Sequence, residues 1–142
     1  MSGAGHLELG RAGEDAAARY LERRQCRILC RNVRTAAGEL DLVVRDGAAL
    51  VFVEVKSLRE KAGFAPAGNL SRAQMLRNRR AGELYRAMLT RPVAVWRYDL
   101  IEVVFRGRRV VELRRRRDYL PGGGSGLLTE TLARRPFWGY II

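Results

Sequence analysis

Between about Leu7 and Arg24 apolar residues recur at helical spacing, at Leu9, Ala12, Ala16, Ala17, Tyr20 and Leu21, with Arg and Glu on the other side. This spacing predicts an amphipathic helix. The period then changes. Arg27 to Val33 predicts a short strand and Thr35-Ala36-Ala37-Gly38 a turn. From Glu39 to Lys56 strand-forming residues flank Asp46-Gly47, a two-residue hairpin signal. With those two residues closing the turn, Arg45 faces Ala48, Val43 faces Leu50, Asp41 faces Phe52 and Glu39 faces Glu54. Opposed residues share a face, as do alternate residues along a strand. One face then carries Leu40, Leu42, Val44, Ala49, Val51, Val53 and Val55, all apolar and predicted to be buried. The other carries Val43, Leu50 and Phe52, and gathers Glu39, Asp41, Glu54 and Lys56 at the open end. A slip of one residue would mix the two sets, so the pattern itself favours this alignment of faces.

Beyond Lys56, residues 57–70 include Gly63, Pro66 and Gly68 and predict a loop long enough to carry function. Ser71 followed by Gln74 forms a capping box that opens a helix over Arg72 to Leu89. Pro92 follows it. Val93 to Phe105 predicts a strand, Arg106-Gly107 a turn, and Arg109 to Leu113 a shorter last strand, with Arg114 to Arg117 as a solvated basic edge. Pro121 to Gly126 marks a break. The expected organisation is one α/β domain over residues 1–119, with a mixed central sheet flanked by helices in an αβββαβ core. Residues 120–142 follow as a Gly-rich linker and a tail whose Phe137, Trp138 and Ile141 favour docking over solvation.

Charge changes the picture most. The chain has 27 basic and 15 acidic residues, a net charge of +12. A phosphate backbone releases counterions to such a surface, so nucleic acid is the expected partner. The longest apolar runs, such as Ala48 to Val53, are far too short for a bilayer, and the first residues lack the regions of a signal peptide. A cytoplasmic protein without membrane contact is expected. Cys26, Cys30 and His6 are the only cysteines and histidine. They cannot readily assemble a four-ligand zinc site, a disulfide framework or a histidine-based nucleophile.

Of the 27 basic residues only Lys56 and Lys61 are lysines. Where position is indifferent this chain uses Arg, which makes Lys56 a candidate for a place that needs a compact ammonium. Asp41 and Glu54 lie beside it on the polar patch, and a divalent cation, Mg²⁺ or Mn²⁺, would offset their repulsion with the oxygen ligands it prefers. A generic acidic-x-basic triplet alone is better read as a plain ion pair on a solvated sheet face. The upstream Asp41, the shared face and the scarcity of Lys raise this one above that level.

Gly10-Arg-Ala-Gly-Glu14 with Ala17 and Tyr20-Leu21, then Arg31-Asn32-Val-Arg34, Gly38-Glu39-Leu-Asp41-Leu42, Val51-Phe52-Val-Glu54-Val-Lys56 and Arg97-Tyr98-Asp99 resemble the successive motifs of the YraN family. That family is functionally uncharacterised and is held to have a restriction-endonuclease-like fold similar to archaeal Holliday junction resolvases. The resemblance spans about residues 8 to 113, and its motifs are specific in combination. It implies a PD-(D/E)XK nuclease site in which Asp41, Glu54 and Glu14 hold the metal and Lys56 orients the attacking water. It also implies DNA as substrate, branched or otherwise structured, and a homodimer. Glu39 either supports the metal ligands or stands exposed at a strand start. Asp99 is expected to pair with an Arg rather than to act in catalysis. Phosphate contacts are expected from Arg72, Arg77, Arg114, Arg115, Arg116 and Arg117. Where the family tends to place a Lys near the start of the second helix, this chain has Arg72, Ala73 and Gln74. Two other readings stay open, a nucleic-acid-binding module without catalysis and an accessory protein that recruits a partner through its tail.

Overall fold

The computed structural model describes residues 3–60 and 70–120. The predicted loop beyond Glu60, including Lys61, and the tail from Pro121 lie outside them. In chain order the elements are α1 (Gly3–Arg23), β1 (Arg27–Thr35), β2 (Gly38–Asp46), β3 (Ala49–Arg59), α2 (Arg72–Ala87), β4 (Trp96–Arg106) and β5 (Arg109–Arg116). The five strands form one sheet in sequence order. β3 and β4 run parallel, across the connection that contains α2, and the other neighbours are antiparallel. This is the αβββαβ core of a restriction-endonuclease-like fold, with β5 added at the edge.

Both faces of the sheet are covered. Ala16, Ala17, Tyr20 and Leu21 of α1 pack on Leu42, Val44, Val51, Val53, Ile101 and Val103. On the other face Ala81 of α2 joins Val43, Leu50, Phe52, Tyr98 and Leu120. Ser71 caps α2 as its sequence predicts, its hydroxyl accepting the Gln74 N–H at 3.1 Å. Two glycines set how closely the helices approach. A Cβ on Gly82 would lie 2.5 Å from the Tyr98 hydroxyl, and one on Gly13 would lie 1.8 Å from the Ser57 hydroxyl. A side chain at Gly13 would force Ser57 to move, and one at Gly82 would displace the Tyr98 ring.

Four sequence expectations change. The β2–β3 turn is Gly47-Ala48, with Asp46 opposite Ala49 and Val43 opposite Phe52. Asp46 stays in the strand because Arg97 holds its carboxylate at 2.6 Å, and Gly47 supplies the positive φ of +59° that the turn requires. The alignment moves by two residues, so the faces survive while the partners change. Second, Leu40 packs on the α2 side with Val43, opposite to Leu42 and Val44. The cause is a local twist. The β1–β2 ladder pairs Arg31 with Leu42 and Val33 with Leu40, yet skips the Asn32–Asp41 pair between them, and Asn32 has φ +51°. Third, β3 runs on through Arg59, where a loop was expected from Ser57, because Ser57, Leu58 and Arg59 keep pairing with Val103, Val104 and Phe105. Fourth, β5 continues through Arg114, Arg115 and Arg116 instead of stopping at Leu113.

That last change has an electrostatic reason. Arg115 is 3% exposed, and its guanidinium donates through Nε at 3.1 Å and Nη2 at 2.9 Å to Oδ2 of Asp99, which is fully buried. Arg97 and the Asp118 N–H donate to Asp99 Oδ1, both at 3.0 Å. A buried charge persists when it is paired and hydrogen-bonded in this way. Asp99 is thus a structural partner of arginines, as expected. Cys26 and Cys30 are both free, Cys26 buried on the α1 side and Cys30 within 3.6 Å of the Tyr85 hydroxyl on the α2 side. Among the described residues no helix is long and apolar enough to cross a membrane.

Candidate metal and nucleic-acid site

The last pair of the β2–β3 ladder is Leu42 with Val53. One residue further, the Asp41 side chain accepts the Val55 N–H at 2.8 Å, so β3 itself orients this carboxylate. Glu54 stands next to Asp41 and is only 9% exposed. Lys56 Nζ lies 3.6 Å from Glu54 Oε1, and the Lys56 side chain is 41% exposed. The geometry therefore assembles Asp41, Glu54 and Lys56 at one end of the hairpin, and brings Asp41 nearer to Glu54 than the Asp46-Gly47 turn would have done.

From the other side α1 delivers Glu14. Carboxylate oxygens of Glu14, Glu39 and Asp41 lie within 4.8 Å of one another. Asp41 is thus shared between Glu54 on one hand and Glu14 with Glu39 on the other. Glu39, which the sequence left between two roles, stands inside the group. Glu54 is not part of that threefold grouping, so the expected trio of Glu14, Asp41 and Glu54 becomes a row of four carboxylates with Asp41 in its middle.

Electrostatics follow from this crowding. Burial, then the charge of Asp41, pushes the Glu54 carboxyl up to about 8, against a weaker opposing pull from Lys56. Its retained proton serves the hydrogen bond to Asp41. Burial also raises Asp41, opposed by the Val55 N–H and the bond from Glu54. Burial and then Asp41 raise Glu14, while a hydrogen bond from Asn32 lowers it. Burial removes Glu14, Asp41 and Glu54 from water, and the charge of neighbouring carboxylates adds to the cost of ionising them. An all-oxygen donor set of this kind fits a hard divalent cation such as Mg²⁺ or Mn²⁺. Asp41, Glu54 and Glu14, joined by Glu39, are the residues that would hold it.

Sequence reasoning named Asn32 only inside a family motif and gave it no role. Its signal was the residue type, since Asn tolerates a positive φ better than other residues with a side chain. With its amide nitrogen turned toward the carboxylates, Asn32 donates to Glu14 Oε2 and Glu39 Oε1, each at 3.1 Å. Tyr119 was also missed. Its hydroxyl accepts from Asn78 at 2.9 Å, and burial, with smaller contributions from Glu54 and Asp41, raises its pKa.

The arginines expected to meet phosphate divide. Arg72 and Arg77 are exposed on the first half of α2. A Cβ on Gly38 would lie 3.9 Å from Arg77 Cβ, so Arg77 stands beside the β1–β2 turn and the residue before Glu39. Arg116 is exposed at the sheet edge, and Arg117 is partly buried. Arg114 is largely covered and bonds Glu112 at 2.6 Å. Arg115 points inward to Asp99 and is removed from the set open to a nucleic acid.

Residues 13–103 match the profile of the Uncharacterised protein family UPF0102. The chain is 42% identical over 95 residues to a UPF0102 protein of Symbiobacterium thermophilum, covering 67% of this chain and 80% of that one. It is 46% identical over 98 residues to a UPF0102 protein of Pelotomaculum thermopropionicum, covering 68% and 81%. A UPF0102 protein of Geobacter sulfurreducens is 59% identical over 56 residues, 39% of this chain and 43% of that one.

Proposed function

This chain belongs to the uncharacterised protein family UPF0102, the YraN family, and from that premise we propose that it is a metal-dependent nuclease hydrolysing phosphodiester bonds in DNA. One observation carries the reading, the buried Glu54 beside the half-buried Asp41, with the Lys56 ammonium 3.6 Å from Glu54. Structural carboxylates in this protein are matched by arginines, as Asp99 is. These are matched mainly by one another, an arrangement that costs stability and that a cation offsets.

A bound Mg²⁺ or Mn²⁺ would supply positive charge against the phosphoryl oxygens as negative charge builds on them. Asp41, fixed by the Val55 N–H, and Glu54, once it has lost its proton, would hold the ion, with Glu14 and Glu39 beside them. Lys56 is partly exposed and rotatable. Its three N–H donors would orient a water for in-line attack while Glu54 balances its charge. Arg77, exposed beside the β1–β2 turn, and Arg72, exposed at the start of the same helix, would hold the DNA backbone without reading its sequence.

The test is cleavage of a panel of duplex, single-stranded and branched DNA with Mg²⁺, with Mn²⁺ and with EDTA, comparing the full chain with Asp41→Asn. Metal-dependent cleavage lost in the variant supports the proposal, and preference for a branched form would extend it to the resolvase-like substrate. Binding of all forms without cleavage in either metal overturns it in favour of a module that only binds nucleic acid.

A further inference from the structure

Asn32 occupies a position that the sheet does not use. It lies between Arg31 and Val33, both paired to β2, at one of the two steps where the β1–β2 ladder skips, the other being the bulge between Ile28 and Cys30. Its φ of +51° falls in the left-handed region, which carries a cost for any residue with a side chain. The residue is exposed and belongs to neither core cluster, so packing of its own side chain does not repay that cost. What the conformation achieves is local. It places one amide nitrogen 3.1 Å from Glu14 Oε2 and 3.1 Å from Glu39 Oε1.

An amide has two N–H donors on one nitrogen, the number needed to bridge two carboxylates. Glu14 arrives on α1 and Glu39 on β2, so nothing in the chain connectivity keeps these like-charged groups together. Each accepts one proton from Asn32 and still has free lone pairs for a cation. Asp41, directly across the skipped step, completes the group. A cationic bridge would compete with the metal for the same charge, whereas a neutral amide does not.

We propose that Asn32 is a positioning residue, whose side-chain amide clamps Glu14 to Glu39 beside Asp41 and so presets the carboxylate group for a divalent cation. The inference deepens the proposed function and rests on it for the cation, while the clamp itself is a statement about the free protein. Asn32 would touch neither DNA nor metal. Groups of this kind behind metal ligands are typically worth about 10- to 100-fold in affinity.

Asn32→Gly is the discriminating variant, because Gly adopts the same φ without strain and deletes only the amide. Mn²⁺ binding by calorimetry should weaken by about 10- to 100-fold, while the melting temperature in EDTA stays within a few degrees of the parent. Unchanged Mn²⁺ affinity overturns the proposal. The second measurement needs no Asn32 variant: in ¹⁵N-labelled protein in EDTA, the two side-chain amide protons of Asn32 should move separately, one in Glu14→Gln and the other in Glu39→Gln. If neither moves, the clamp does not exist, whatever the calorimetry gives. If the parent binds no Mn²⁺ while both protons respond, the clamp stands and the nuclease reading fails.

Discussion

Gly13 on α1 faces Ser57 on β3 so closely that a methyl group at Gly13 would sit 1.8 Å from the serine hydroxyl and 3.1 Å from its Cβ. The next residue on the helix is Glu14, so this contact sets how near the carboxylate comes to Asp41. Gly13→Ala is expected to destabilise by about 1–3 kcal/mol, as overpacking does, and to weaken Mn²⁺ binding. Gly10→Ala on the same helix meets nothing within 4 Å. It should stabilise by up to about 1 kcal/mol. Urea unfolding of both variants checks the contrast, and equal effects would remove the close approach as the reason for Gly13.

Asp41→Asn and Glu54→Gln are each expected to abolish Mn²⁺ binding and cleavage while the chain still folds, because the two side chains face the polar end and not the apolar clusters. Calorimetric titration and circular dichroism measure the two halves of this expectation. Retained Mn²⁺ affinity in both variants would make the carboxylates structural.

The Glu54 carboxyl is pushed up to about 8 in the folded chain from an ordinary 4.5. Between those values the folded state binds more protons than the unfolded state, so stability falls as pH rises. The contribution is full below the ordinary value and lost above about 8. Asp41 and Glu14, also raised, act in the same sense. Metal-free protein should therefore be more stable at pH 5 than at pH 8, with a smaller difference in Glu54→Gln. Mn²⁺ affinity should rise over the same interval, since the ligands must first lose their protons. Denaturant melts in EDTA across this range test the sign. A rise in stability with pH would contradict the proton-sharing pair.

The arginines of α2 and of β5 should separate by what they do. Arg115→Ala leaves the fully buried Asp99 short of its partner and should cost about 3–5 kcal/mol in stability. Arg72→Ala and Arg77→Ala should leave stability within about 0.5 kcal/mol, yet each should lower the salt slope of DNA binding by about 1. The parent, making six to ten phosphate contacts, should lose about 10³ to 10⁵ in affinity from ~50 to ~200 mM salt. Fluorescence anisotropy at several salt concentrations reads these slopes, and a parent affinity indifferent to salt would refute backbone binding.

Lys56→Arg conserves charge and tests what the amine does. An ammonium that only balances Glu54 is replaced by Arg with little loss, as Arg serves at nearly every other basic position in this chain. One that places a water is not. A displacement near 1 Å costs on the order of 10²-fold in rate. Near-normal DNA affinity with cleavage reduced to that extent is expected on a single substrate in Mg²⁺, and full cleavage would remove Lys56 from the reaction.

The amino-acid sequence by itself determined the type and order of the elements and, Leu40 apart, the two faces of the central hairpin. Alternation in β2 and β3 has a period of two, so the error of two residues in the partner assignment left Asp41, Glu54 and Lys56 on a common polar end. The cap at Ser71 was equally legible, because a cap is made within a few residues. What lay beyond local pattern was decided by tertiary structure. The turn moved to Gly47-Ala48 because Arg97, on a distant strand, keeps Asp46 in the ladder. Arg115 disappeared into the interior because Asp99, from the neighbouring strand, neutralises it, and no run of four arginines announces which one will find such a partner. Leu40 turned to the α2 side where β2 passes the left-handed Asn32 of β1. A backbone conformation of that kind is affordable only when contacts distant in sequence repay it, and here Glu14 and Glu39 do so from two separate elements.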